Sequence, residues 1–213
     1  MIQAGVMAVK KEVNVPIHTV AEPAALGLFG LAMVTLVAST QKLGITSGLS
    51  FVLPWAIFLG SFAQLFTAVI ESKRNNIFGM TAFGAYGLFW LAVAFSWMTK
   101  LGIFGSDLMN AVDGKQLGIA FIGYLIFSLY MTLASLETNK MLMVVFVLID
   151  ALFISLILYS FGVATELSAL VAGISEMGIA VVSFYGSAAV LVNGHLGRVV
   201  IPVGSPLGLL KKK

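Results

Sequence analysis

Six apolar runs dominate this chain, and each is about as long as a membrane is thick. A spanning helix needs about 20 mostly apolar residues. The runs predict spans at Pro23 to Gln41, Leu49 to Glu71, Phe78 to Thr99, Leu117 to Leu136, Met141 to Phe161 and Ser168 to Asn193. Backbone polar groups inside a bilayer must be satisfied within the chain, so runs of this length fold as helices. Of the 213 residues, 60% are hydrophobic and 10% charged. A soluble domain of about 25% charge covers its surface with far more. The expected fold class is an all-α integral membrane protein of six transmembrane helices. Residues 1–20 read as a flexible cytoplasmic tail, 21–204 as the transmembrane transport domain and 205–213 as a basic C-terminal tail.

Charge gives the orientation. Lys10, Lys11, Lys73, Arg74, Lys140, Arg198 and the run Lys211, Lys212 and Lys213 fall on one side of an even-span bundle. Only Lys42, Lys100 and Lys115 fall on the other. The positive-inside bias therefore puts both termini in the cytoplasm of a multi-pass plasma-membrane protein. The lysine tail suits anionic membrane lipid, and so few basic residues give a nucleic-acid role no support. Lys10 and Lys11 follow the short N-terminal apolar piece instead of preceding it, unlike a signal peptide.

The chain has no cysteine, and its two histidines, His18 and His195, lie in opposite flanking segments. No disulfide, thiolate metal site or cofactor is expected, and a histidine metal cluster has no basis. No nucleophile–base set or phosphate loop is present, so the chain does not read as an enzyme. Gly84 and Gly87 read as helix-packing positions rather than a nucleotide fingerprint.

Polar residues recur at helical spacing: Ser61, Gln64, Thr67 and Glu71; Tyr124, Ser128, Thr132 and Ser135; Glu176, Ser183 and Ser187. Spacings of three, four and seven place each set on one helix face. Two readings stand open, a polar path through the bundle and interhelical hydrogen bonding. Phe83, Tyr86, Trp90 and Trp97 form an aromatic stripe on the third span, in which Tyr86 alone joins a ring to a hydroxyl suited to lining a passage. Asp150 and Glu176 lie well inside spans, and an ionisable group there marks a functional candidate. No lysine or arginine lies inside any predicted span, so neither acid has an evident basic partner. Each faces a wet cavity or stays protonated, and both are proton-coupling candidates. Pro23 suits the first position of a helix. Glu22 then caps the first span, whose free N–H groups and dipole also attract an anionic ligand.

The segment Glu22-Pro23-Ala24-Ala25-Leu26-Gly27-Leu28 resembles the N-P-A-P-L-G-L signature of the acetate uptake transporter family, the succinate–acetate permeases of bacteria, archaea and fungi. Ala63-Gln64-Leu65-Phe66, Asn76 through Phe83 running into Tyr86-Gly87-Leu88-Phe89-Trp90, and Gly197 through Gly204 are similar to three further blocks of that family. The resemblance implies a homo-hexamer with one substrate path per protomer. It implies transport of acetate, and of succinate or other short carboxylates, in a proton-linked manner, with channel-like passage as the alternative. It places Glu22, Pro23, Ala24, Leu26, Gly27, Gln64 and Thr81 at the substrate and aligns Leu31, Tyr86 and Ile149 with a narrow apolar constriction. Glu22 replaces the signature's Asn, Ala25 its second Pro, and Leu31 the constriction's Phe. An acid at the signature position implies that Glu22 takes up a proton before an anion enters, which adds Glu22 to the proton-coupling candidates. A passive channel for anions or small neutral solutes, and a non-transporting sensory protein, are the rival readings.

Overall fold

The structure is a computed structural model that describes residues 20–210. The tail expected over residues 1–20 lies outside them except for Val20, as do Lys211, Lys212 and Lys213. Six helices are long and apolar enough to cross a membrane: Ala24–Lys42, Val52–Lys73, Ile77–Lys100, Gly114–Ser135, Lys140–Ser160 and Thr165–Leu196. They are the first to sixth spans below. The sixth is the longest, at 32 residues. It starts at Thr165, before the predicted Ser168, because its first turn carries the polar Thr165 and Glu166, which hydropathy alone leaves out. The long loop between the third and fourth spans contains a short helix, Ser106–Asn110.

Side-chain caps define three of the starts. Asn76 Oδ1 accepts from the Gly79 amide at 3.1 Å, Asp113 Oδ1 from Lys115 at 2.9 Å and Asn139 Oδ1 from Leu142 at 2.9 Å. Each satisfies one of the donors that a helix start leaves over. Pro23 sits one position earlier than predicted, as the cap residue, and the helix begins at Ala24. The sixth span ends at Gly197, whose φ of 63° is the left-handed turn that terminates helices.

The first span packs chiefly on the sixth, the sixth on the fifth and the fifth on the fourth. The second lies on the third and the first, while the third meets the fourth mainly through aromatic side chains, Phe89 against Tyr124 at 4.9 Å among them. The shared core holds Leu31, Tyr86, Phe89, Trp90, Phe121, Phe146, Ile149 and Phe153. The outward faces carry exposed apolar side chains such as Phe58, Phe62 and Phe66. That pattern suits a surface whose solvent is lipid.

Within the second span, Ala56–Ala63 is wound as a π-helix. The wider turn disturbs the usual i→i−4 ladder, as π segments near functional sites commonly do. Gln64 Nε2 donates to the Gly60 carbonyl at 2.7 Å and so supports the altered turn. Here the second span meets the first backbone to backbone: a Cβ on Gly30 would fall on the Leu59 carbonyl oxygen. Gly30→Ala is expected to cost ~1–3 kcal/mol, the range for overpacking a tight core. The check is thermal unfolding in detergent, and an unchanged midpoint would mean that the two spans slide apart without penalty.

Beyond the sixth span the chain folds back as a strap. Asn193 Oδ1 accepts from the amides of Val200 (2.7 Å) and Ile201 (2.9 Å), and its Nδ2 donates to the Ile201 carbonyl at 2.8 Å. Tyr185 donates to the Pro202 carbonyl. The Met141 amide donates to the Val203 carbonyl at 3.1 Å, and the Leu207 amide to the Leu136 carbonyl at 2.8 Å. Leu210 adds a bond to Glu137 Oε1 at 2.8 Å. The strap thus fastens the turn between the fourth and fifth spans.

Candidate functional site

Polar chemistry gathers at three depths. At the mouth where the first span begins, Glu22 Oε1 accepts from the Ala24 amide at 3.2 Å. Its other oxygen pairs with Arg74. Arg74 also donates from Nη1 to the Val20 carbonyl at 2.7 Å, and its Nε lies 3.8 Å from Glu71 Oε2. Glu71 is buried at 1% exposure and accepts from Asn76 Nδ2 at 3.0 Å. The expectation of a helix-capping Glu22 is met in geometry, and the acid has a partner that spacing along one helix does not reveal.

Around this mouth, Thr67 Oγ1 donates to the Ala63 carbonyl at 2.9 Å, and Ser187 Oγ to the Ala25 carbonyl at 2.7 Å. Pro23 is buried, and Ala24 and Thr81 are half-buried. Gly27 brings the first-span backbone against the Phe83 ring, where a side chain would collide. Leu26 is exposed at 41% and stands apart from this group.

The second level is in mid-bundle. Gln64 and Ser61 are fully buried. Leu31, Tyr86 and Ile149, the three residues aligned with a constriction, are each buried in the hydrophobic core. The Tyr86 ring packs edge-on to Phe127 at 5.4 Å and lies 6.1 Å from Phe146. Its hydroxyl neighbours Ser128, with no hydrogen bond formed between the two. Asp150 Oδ2 accepts from Thr132 Oγ1 at 2.7 Å, a bond from the fourth span to the fifth. The Tyr86 hydroxyl, Ser128 Oγ, Ser61 Oγ, Ser183 Oγ, Gln64 Oε1 and Asp150 Oδ1 are buried with no hydrogen-bond partner among the described residues. Buried polar groups in folded proteins are nearly always paired, so such a set asks for a function.

The third level, at the opposite end of the bundle, is a cavity of about 850 Å³. Its lining includes Lys42, Trp90, Trp97, Lys100, Asp113 and Glu176. Phe89, Trp90 and Phe121 line it and also belong to the core that holds Tyr86. Lys42 Nζ lies 2.8 Å from Glu176 Oε2, with side-chain exposures of 18% and 2%. This corrects the expectation that Glu176 lacks a basic partner and that no lysine enters a span. Lys42 occupies the last turn of the first span, beside the early turns of the sixth. A long aliphatic stem lets its ammonium reach along the helix surface. Spacing within single helices could not reveal the pair. The antiparallel neighbourhood of the first and sixth spans does.

The sequence matches the GPR1/FUN34/yaaH family over residues 4–205. It is 32% identical over 187 residues to the succinate-acetate/proton symporter SatP of Escherichia coli K12, covering 86% of this chain and 95% of that protein. It is 30% identical over 145 residues to acetate permease A of Emericella nidulans, covering 64% of this chain and 48% of the fungal protein. The fold superposes on the bacterial acetate channel SatP with a TM-score of 0.80 at 30% identity, over 87% of this chain and all of that one.

Proposed function

Because the chain belongs to the GPR1/FUN34/yaaH family, we propose that it moves acetate, and with it succinate or other short carboxylates, across the membrane. The observation that carries this reading is the set of buried hydroxyls without partners, those of Ser61, Tyr86, Ser128 and Ser183. A hydroxyl can donate to a carboxylate oxygen or accept from an acid O–H. These groups therefore suit a small solute that trades its hydration for side-chain partners as it passes Leu31, Tyr86 and Ile149. Glu22, Pro23, Ala24, Gly27, Gln64 and Thr81 form the substrate-binding group in this reading, and the exposed Leu26 is left out of it. The working unit is a homo-hexamer with one path per protomer, as the family resemblance implies. Both termini are cytoplasmic, so the mouth at Glu22 faces the cell interior and the cavity at Lys42 faces outward. The lysine and arginine bias between loops supports that assignment.

Transport is proton-linked, and Asp150 is the coupling residue. Glu22 and Glu176 each have a cationic partner, whereas among the described residues Asp150 has only the Thr132 hydroxyl, its second oxygen having no partner. An acid in that setting suits proton carriage. A relative is named a proton symporter and a solved neighbour an acetate channel, so passive flux is the second reading. The test is labelled acetate uptake into liposomes with an inward proton gradient, set against protein-free vesicles because acetic acid crosses bilayers unaided. Wild-type protein is expected to accumulate acetate beyond that control. Asp150→Asn is expected to keep downhill flux and lose accumulation. Wild-type flux that only equilibrates would establish the channel reading, and no protein-dependent flux would overturn both.

A further inference from the structure

We infer that Lys42 is a carboxylate-binding residue of the cavity and that Glu176 is an internal carboxylate competing for it. The inference rests on the proposed transport of carboxylates, since it names that solute class as the cavity's ligand.

Three observations carry it. The pair sits on the wall of an 850 Å³ cavity, a space far larger than one carboxylate needs. The two partners differ in access: Lys42 retains 18% exposure, while Glu176 at 2% lies behind it. And the bond is single. One Nζ donates to one oxygen, Oε2. An ammonium has three donors, so two remain for an anion approaching from the cavity. An incoming carboxylate presents the same chemical group as Glu176 and takes the two free donors, so the two acids compete for one positive charge while the bond to Glu176 persists.

The other charged groups of the lining fit this reading. Asp113 is engaged as the cap of the fourth span. Lys100 adds a second positive charge to the cavity wall, and Tyr159 a phenol. Trp90 and Trp97 supply apolar walls that suit the methyl or methylene part of a short acid. A pair with a purely structural duty has little to recommend it here. Burying two charges is costly, and replacing such pairs with apolar side chains is often neutral or stabilising.

The same tryptophans provide a readout that is independent of flux. Of the three tryptophans, only Trp55 lies outside the cavity lining. Trp55→Phe protein in detergent would be titrated with sodium acetate, with sodium chloride at matched ionic strength as the control. Saturable quenching specific to acetate is expected. Glu176→Gln removes the competitor's charge and should tighten the apparent Kd at least ~10-fold, a decade being the scale of one modest charge interaction. Lys42→Gln combined with Glu176→Gln leaves no unpaired buried charge at the pair and should abolish that gain. The inference is overturned if wild-type protein shows no saturable response, if Glu176→Gln binds no more tightly, or if the double variant binds as tightly as Glu176→Gln. Saturable binding without liposome flux would retire the transport reading and leave the site standing. Flux with no tightening in Glu176→Gln would retire the site alone.

Discussion

Lys42→Met is expected to destabilise the folded protein by roughly 3–5 kcal/mol, the cost of breaking a buried ion pair from one side. The loss comes less from the bond than from what is left behind. Glu176 is 2% exposed, and its side-chain partner among the described residues is Lys42 alone. Without the ammonium, its carboxylate must take up a proton or draw water into the helix interface. The companion change Glu176→Gln, added to Lys42→Met, should recover most of the stability because no charge is then stranded. Unfolding in micelles would be followed for the wild type, both single variants and the double, so that the coupling is read from a complete cycle. A Lys42→Met protein as stable as the wild type would mean that Glu176 is solvated through the cavity, and that the ion pair contributes little.

Tyr86 should separate stability from transport. Tyr86→Ala removes a ring that packs against Phe127 and Phe146 in the centre of the bundle. Large-to-small aromatic changes in a core cost about 3–5 kcal/mol. The same change widens the constriction proposed for Leu31, Tyr86 and Ile149, so the succinate-to-acetate flux ratio should rise in whatever fraction of the protein remains assembled. Tyr86→Phe behaves differently. The hydroxyl has no partner among the described residues, so deleting it leaves no group newly stranded, and the stability should change by less than about 1 kcal/mol. If that hydroxyl meets the solute, KM for acetate should still rise several-fold. Thermal unfolding and liposome uptake on the same preparations would distinguish the two effects. A Tyr86→Phe protein with a wild-type KM would remove Tyr86's hydroxyl from the binding group and leave it a packing residue.

The spans were legible because hydropathy is a local property, and a bilayer demands it over a fixed length. Their ends were less so. Pro23 proved to be a cap rather than a first helical residue, and the sixth helix gained a polar first turn at Thr165 and Glu166. The π-helical turn at Ala56–Ala63 left no trace, since its residues are as apolar as those of an ordinary span. Family resemblance singles out the signature and Tyr86, and Leu31, Tyr86 and Ile149 are each buried. Pairings between distant helices were out of reach. Lys42 and Arg74 served only as topology markers, because side chains at helix ends look like solvated loop residues until the neighbouring helix is known. Thr132 was read as one member of a stripe, and its bond to Asp150 emerged only once the fourth and fifth spans were set side by side.

The strap that follows the sixth span has a consequence for the order of synthesis. The turn it fastens, around Leu136 to Met141, leaves the ribosome well before the segment that supplies Val203 and Leu207. Until then the Leu136 carbonyl and the Met141 amide lack the partners they have in the finished protein. The knot can be tied only after the sixth helix has crossed the membrane and returned the chain to the same side. A nascent chain arrested before Arg198 therefore carries an unfastened hairpin at the membrane surface, and a completed one does not.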